Sequence, residues 1–95
     1  MSFEEHCKEC QSKLGKRYED VHHWLDEFAY STKYGMRHRR VRHHQAGIEE
    51  ASLLFGKDGA AAARLHIVSD LKEEGWKEAD HFPRDERDYV RMGLW

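Results

Sequence analysis

The sequence predicts an all-α fold, a compact single-domain bundle of four to five helices spanning residues 1–95. Apolar residues recur at intervals of three and four along most of the chain. Glycines and helix-capping residues fall between those runs, and no run keeps the period-two alternation of a strand.

The first helix is expected over 3–14. Ser2 and Glu5 form a capping-box pattern, Phe3, Cys7, Cys10 and Leu14 share a face, and Gly15 closes the element. A second helix starts near Glu19 or Asp20, with Val21, Trp24, Leu25 and Phe28 at i, i+3, i+4 and i+7, and frays between Tyr30 and Gly35. A third runs from about Met36 to Phe55 on the stripe Val41, His44, Ile48, Ala51 and Phe55, and Gly56 stops it. Asp58 is placed to cap a fourth, whose apolar face is Ala60, Ala63, Ile67 and Leu71, with Gly75 beyond its end. Pro83 suits the first turn of a short last helix reaching about Arg91. Tyr89, Val90, Leu94 and Trp95 then fold back on the core.

Sixteen Lys and Arg oppose eighteen Asp and Glu, a net charge of −2 that announces no nucleic-acid or membrane partner for the chain as a whole. No segment approaches the roughly 20 apolar residues of a membrane span, and no signal-like stretch opens the chain. A soluble protein with reduced thiols is expected, in the cytoplasm of a bacterium or of a phage-infected cell. Cys7 and Cys10 lie on the apolar stripe with Phe3 and Leu14, which reads as buried thiols. Paired with His22 and His23 they have a zinc-finger-like spacing, but no hairpin separates them from those histidines.

Eight histidines are many for this length. Advancing about 100° per residue sorts them by face. His22 flanks the apolar face of the second helix with Asp26 one turn on, while His23 points to solvent. His44 falls inside the third stripe, with His38 and His43 to either side. His66 and Asp70, four apart, border the fourth. Each pair alone reads as an ordinary hydrogen-bonded core group. Their recurrence on three helices points to a metal site built from facing helices, with ligands drawn from His22, His38, His43, His44, His66 and Asp70, and His44 the leading single residue. Imidazole with carboxylate suits a divalent transition metal such as Zn, Fe, Mn, Co or Ni.

The pieces HHWLDEF (22–28), RHRRVRHHQAGI (37–48), HIVSDL (66–71) and DHFP (80–83) resemble a family of small uncharacterised proteins of bacteria, archaea and their phages, classed as a domain of unknown function. Phe82 stands where that family usually has Ile. The resemblance covers about 20 to 83 and implies a role for His22, His38, His43, His44, His66 and Asp70, leaving out both cysteines. More loosely, His22, the doublet His43-His44 before Gly47-Ile48, and Asp70 are similar in order to the ligands of the HD superfamily of metal-dependent phosphohydrolases, which is also helical. The doublet here is His-His, where that superfamily has His-Asp.

Three functions are consistent with these residues. The first is a metal-binding protein or metal-dependent phosphohydrolase, with Asp26 as a base or orienting group and Arg37, Arg39, Arg40 and Arg42 on the oxygens of a phosphate-bearing small molecule. The second is a nucleic-acid-binding module using Lys33 and the same arginines, with Tyr30 and Tyr34 for stacking; the arginines wind around their helix and line no single face. The third is a small interaction protein, such as a phage factor, or a homo-oligomer, with Trp76 and Trp95 as anchors.

Overall fold

The computed structural model describes residues 1–95 apart from the side chains of Tyr30 and Met36, so the expected stacking by Tyr30 lies outside the described residues. Five α-helices follow in order: α1 Phe3–Leu14, α2 Glu19–Leu25, α3 Arg39–Arg42, α4 Gln45–Glu73 and α5 Glu86–Arg91. Short 3-10 turns, Glu27–Tyr30 and Gly35–Arg37, bridge α2 and α3, and no strand occurs among the described residues. The radius of gyration is 12.4 Å, matching the value of about 12 Å expected for a folded chain of this length.

The first helix follows its sequence signals. Ser2 Oγ accepts from Glu5 N and Glu5 Oε1 accepts from Ser2 N, so two otherwise unpaired donors are met reciprocally. Gly15 then takes the left-handed conformation, φ 87°, that closes the helix. The buried face differs from the expected stripe. It is His6, Cys7 and Cys10, and Leu14 is exposed. Both cysteines are buried free thiols.

The expected helix over 36–55 is broken. Its backbone leaves helical geometry at His43 (φ −84°, ψ 58°) and is extended at His44 (φ −158°, ψ 177°). The break is stable because the first donors of α4 find partners. Gln45 N donates to Pro83 O, Ala46 N to Arg84 O, and Gly47 N to His44 Nδ1. Gly47 permits the tight corner, since a Cβ there would lie 1.9 Å from the Arg42 carbonyl oxygen. Pro83 is therefore a buried acceptor ahead of the last helix, not its first turn; Asp85 caps α5 by accepting from Asp88 N.

Gly56, with φ 79° and ψ −177°, breaks α4 into two limbs, as its place in the sequence suggests. The break is at Gly56 itself, two residues ahead of Asp58. The second limb is the axis of the core. Ala62, Ala63, Ile67 and Leu71 pack against Cys10 of α1 and Val21 and Leu25 of α2, with Trp76 and Tyr89 closing the far end. Trp76 is buried and its indole N–H donates to His81 O, so it is no exposed anchor; Trp95 is exposed. Among the described residues, no helix is long and apolar enough to cross a membrane.

Candidate metal centre

Around this apolar axis lies a layer of buried polar groups. His6, His22, His43, His44, His66 and Asp70 are each at most 4% exposed. Burying so many imidazoles requires partners, because an unmet polar group in the interior costs about 1–3 kcal/mol. The partners are mostly one another.

Asp70 is the hub. Its Oδ2 lies 3.0 Å from His43 Nε2 and 3.2 Å from His66 Nε2, and its Oδ1 lies 3.1 Å from His6 Nε2. Asp26 closes the other side, with Oδ2 3.5 Å from His66 Nε2 and Oδ1 3.7 Å from His43 Nε2. Four donors from three places in the chain thus face one point: Asp26 just beyond α2, His43 at the α3–α4 corner, and His66 and Asp70 one turn apart on α4. All lie within 4.8 Å of one another, and the group could hold a metal ion.

The spacing fits an ion. Metal–ligand bonds of about 2.0–2.1 Å to imidazole and carboxylate place tetrahedral donors about 3.3 Å apart. The four His–Asp separations, 3.0, 3.2, 3.5 and 3.7 Å, straddle that value. His66 Nε2 adds a second indication, being buried with no hydrogen-bond partner while facing both carboxylates. His6 Nδ1 and His43 Nδ1 also lack partners. In the metal-free fold both rings donate from Nε2 to Asp70, so Nδ1 carries no hydrogen and only an acceptor goes unmet; a metal on His43 Nε2 would shift that ring's hydrogen to the unpartnered Nδ1.

The electrostatics follow the contacts. Burial pushes the Asp70 carboxyl up, and hydrogen bonds from His43 and His6, with the His66 ring 3.2 Å away, outweigh it, holding Asp70 well below the usual carboxylate range. Asp26 is held low in the same way, against burial, by His38 and His66. Burial lowers His43 to about 4 despite its bond to Asp70. Burial, reinforced by His66 and His6, also lowers His22 to about 4. His66 goes the other way: burial lowers it, but Asp26 and Asp70 together raise it above the ordinary imidazole value. A single cationic position between two carboxylates is thus built into the cluster.

The other expected ligands are otherwise engaged. His22 Nε2 donates to Arg17 O and its Nδ1 pairs with His66 Nδ1. His38 has Nδ1 on Gly35 O and Nε2 on Asp26 Oδ1. His44, facing inward on a continuous helix, sits outside the donor set because the chain breaks beneath it. Its Nε2 donates to Arg40 O and its Nδ1 caps α4. His6, stacked on His66 with ring centroids 3.6 Å apart, was outside the sequence expectation. Its signal was the i, i+3, i+4, i+7 set Phe3, His6, Cys7 and Cys10, a tighter helical face than the stripe through Leu14.

The donor set is reached from solvent through an open pocket of about 590 Å³ lined by Phe3, His23, Asp26, His38, Arg39 and Asp70, among others. The carboxylates line it and the two donor imidazoles lie behind them. Of the four arginines, Arg39 lines this pocket, bonded to Glu74 and 3.5 Å from Asp70. Arg40 pairs with Glu86, and Arg42 donates to Glu27 and Trp24 O while lying over the Trp24 ring. Arg37 lies over the Trp95 ring and Lys33 over that of Tyr34.

No curated protein and no solved structure matches the chain. The model of a family described as "Domain of unknown function (DUF6915)" matches residues 1–91, and the chain belongs to that family.

Proposed function

For this member of a family without an assigned function, we propose a metal-binding role. Asp26, His43, His66 and Asp70 hold one divalent transition ion, Zn, Fe, Mn or Ni, at the base of the open pocket, and residues 1–95 act as one helical domain. The observation that carries this reading is His66 Nε2, buried, without a hydrogen-bond partner, and facing two carboxylates. Two carboxylates facing one buried nitrogen favour a cation between them: in the metal-free fold a proton on His66 fills that role, and a bound metal ion would take its place.

The finer reading is hydrolysis of a phosphate-bearing small molecule. A divalent ion held there supplies Lewis acidity and lowers the pKa of a water. In this reading Arg39 would meet substrate oxygens in exchange for its contact with Glu74, a role supported by its position lining the pocket beside Asp70. The likeness to the HD superfamily keeps His43 and Asp70 as donors. His22 and His44 spend both ring nitrogens elsewhere, so Asp26 and His66 complete the set. Nucleic-acid binding is less favoured, because Arg39, Arg40 and Arg42 are each already paired with a carboxylate and line no common face.

Elemental analysis of untagged protein, as purified and after reloading with each metal, tests the core of this proposal beside Asp70→Asn. About one ion per chain, lost in the variant while its circular dichroism stays helical, is expected. No ion after reloading the folded wild type overturns the metal reading. Loaded protein that leaves phosphomonoester and phosphodiester model substrates intact overturns only the hydrolytic one.

A further inference from the structure

Two contacts determine which nitrogen of His66 faces the carboxylates. The Arg17 backbone carbonyl lies 3.0 Å from His22 Nε2. A carbonyl oxygen only accepts, so the hydrogen of this contact sits on Nε2 of His22. An uncharged imidazole carries one N–H, which leaves His22 Nδ1 as a bare acceptor. That acceptor is 2.9 Å from His66 Nδ1. The two rings are 23° from parallel with centroids 5.1 Å apart. This separation is close to the N···N distance plus one ring radius at each end, so the contact runs along the line joining the rings, where lone pair and N–H point. The hydrogen of this second contact therefore sits on His66 Nδ1, and an uncharged His66 has a bare Nε2.

We infer that His22 is a positioning residue: with the Arg17 carbonyl behind it, it holds His66 in the Nδ1–H tautomer and so presents Nε2 as an open metal donor. The inference rests on the metal reading for its purpose but not for its geometry. Its physical content is a competition. Asp26 and Asp70 are strong acceptors at 3.5 and 3.2 Å from His66 Nε2, and left alone they would draw the ring's hydrogen to that nitrogen. A ring in that tautomer donates to the carboxylates and has no lone pair for an ion. His22 tips the balance by offering a well-aligned acceptor to the opposite nitrogen. Ligating histidines elsewhere depend on such partners, whose loss weakens metal binding by about 10–100-fold.

Two variants separate this role from mere packing. His22→Gln retains an amide N–H for the Arg17 carbonyl and a carbonyl oxygen for His66 Nδ1–H. His22→Leu fills the space and offers neither. Nitrogen-15 imidazole spectra of the metal-free full chain, at a pH where the rings are uncharged, read the tautomer directly. Zinc titration against a chromophoric chelator reads affinity. The expectation is Nδ1–H on His66 in wild type and His22→Gln, and Nε2–H in His22→Leu, with zinc held about 10–100-fold more weakly by the leucine variant and near wild-type strength by the glutamine variant. An Nε2–H signal for His66 in the wild type overturns the inference whatever the variants do, including a leucine variant that does not fold. So does a folded leucine variant that keeps the Nδ1–H tautomer and wild-type zinc affinity; in that case the metal reading stands. A wild type with the Nδ1–H tautomer that takes up no zinc sinks the metal reading and leaves the tautomer control in place.

Discussion

Gly47→Ala places one methyl group at the corner that brings His43 into the cluster. The added Cβ lies 1.9 Å from the Arg42 carbonyl oxygen and 2.7 Å from its carbonyl carbon. Non-bonded carbon contacts settle at about 3.5 Å, so one strand of backbone must move by more than about 1 Å. Neither side yields easily. Arg42 O accepts from His44 N at 2.9 Å, and the α4 side is tied by Gln45 N and Ala46 N to Pro83 and Arg84 carbonyls. Overpacking costs about 1–3 kcal/mol, and a rigid backbone neighbour places this case near the top of that range. For a domain of this size, about 3 kcal/mol corresponds to a melting point lower by about 12–24 °C. His43 follows Arg42 directly, and its Nε2 must stay 3.0 Å from Asp70 Oδ2, so zinc affinity should fall as well. Thermal melts by circular dichroism and zinc titration of the folded variant measure both effects. Gly15→Ala is the control: its φ of 87° imposes strain of about 1–2 kcal/mol, but its Cβ meets nothing within 4 Å, and zinc affinity should hold. A Gly47→Ala protein that melts within a few degrees of wild type refutes the close α3–α4 corner.

Metal affinity should depend on pH through His66. Its raised pKa means that a proton occupies the position between Asp26 and Asp70, so binding releases about one proton, and affinity falls about tenfold per unit below that pKa and levels off above it. A flat profile in buffered zinc titrations would contradict this. Metal-free stability should peak near the ordinary imidazole pKa. From about 6.5 down to 4 the unfolded chain protonates His22 and His43 while the folded chain resists, costing up to about 1.4 kcal/mol per pH unit for each. His66, raised in the fold, adds no slope there because both states hold its proton. Its contribution is lost as pH rises from 6.5 through its folded value. Urea midpoints across pH 4–9 test the shape, and stability rising steadily toward pH 9 would be the wrong one. His44→Ala should cost about 1 kcal/mol through the lost α4 cap and leave zinc stoichiometry intact, whereas His43→Ala should weaken zinc binding. Equal zinc loss in both would show that the corner, not the ligand, is what matters.

Local rules carried much of this molecule. The Ser2–Glu5 box, Gly15 and the face through Cys7 and Cys10 define α1 without reference to the rest of the chain, because capping and helical periodicity act over one or two turns. His66 and Asp70 are neighbours for the same reason, being four apart on a helix. Gly56 marks a break because its φ of 79° is open to glycine at little cost. Non-local partners decided the rest. The run from Met36 to Phe55 has helical periodicity throughout, and it breaks at His43-His44 because carbonyls some 40 residues later, at Pro83 and Arg84, receive the N–H groups of a new helix start. That break turns His43 toward Asp70 and spends His44 as a cap, a choice that periodicity cannot make because it assumes one unbroken helix. His22 likewise lies on a core-facing flank by sequence. Whether it offers a nitrogen to an ion or to His66 depends on where the Arg17 carbonyl lies across the ring, and only the packing of α1, α2 and α4 determines that.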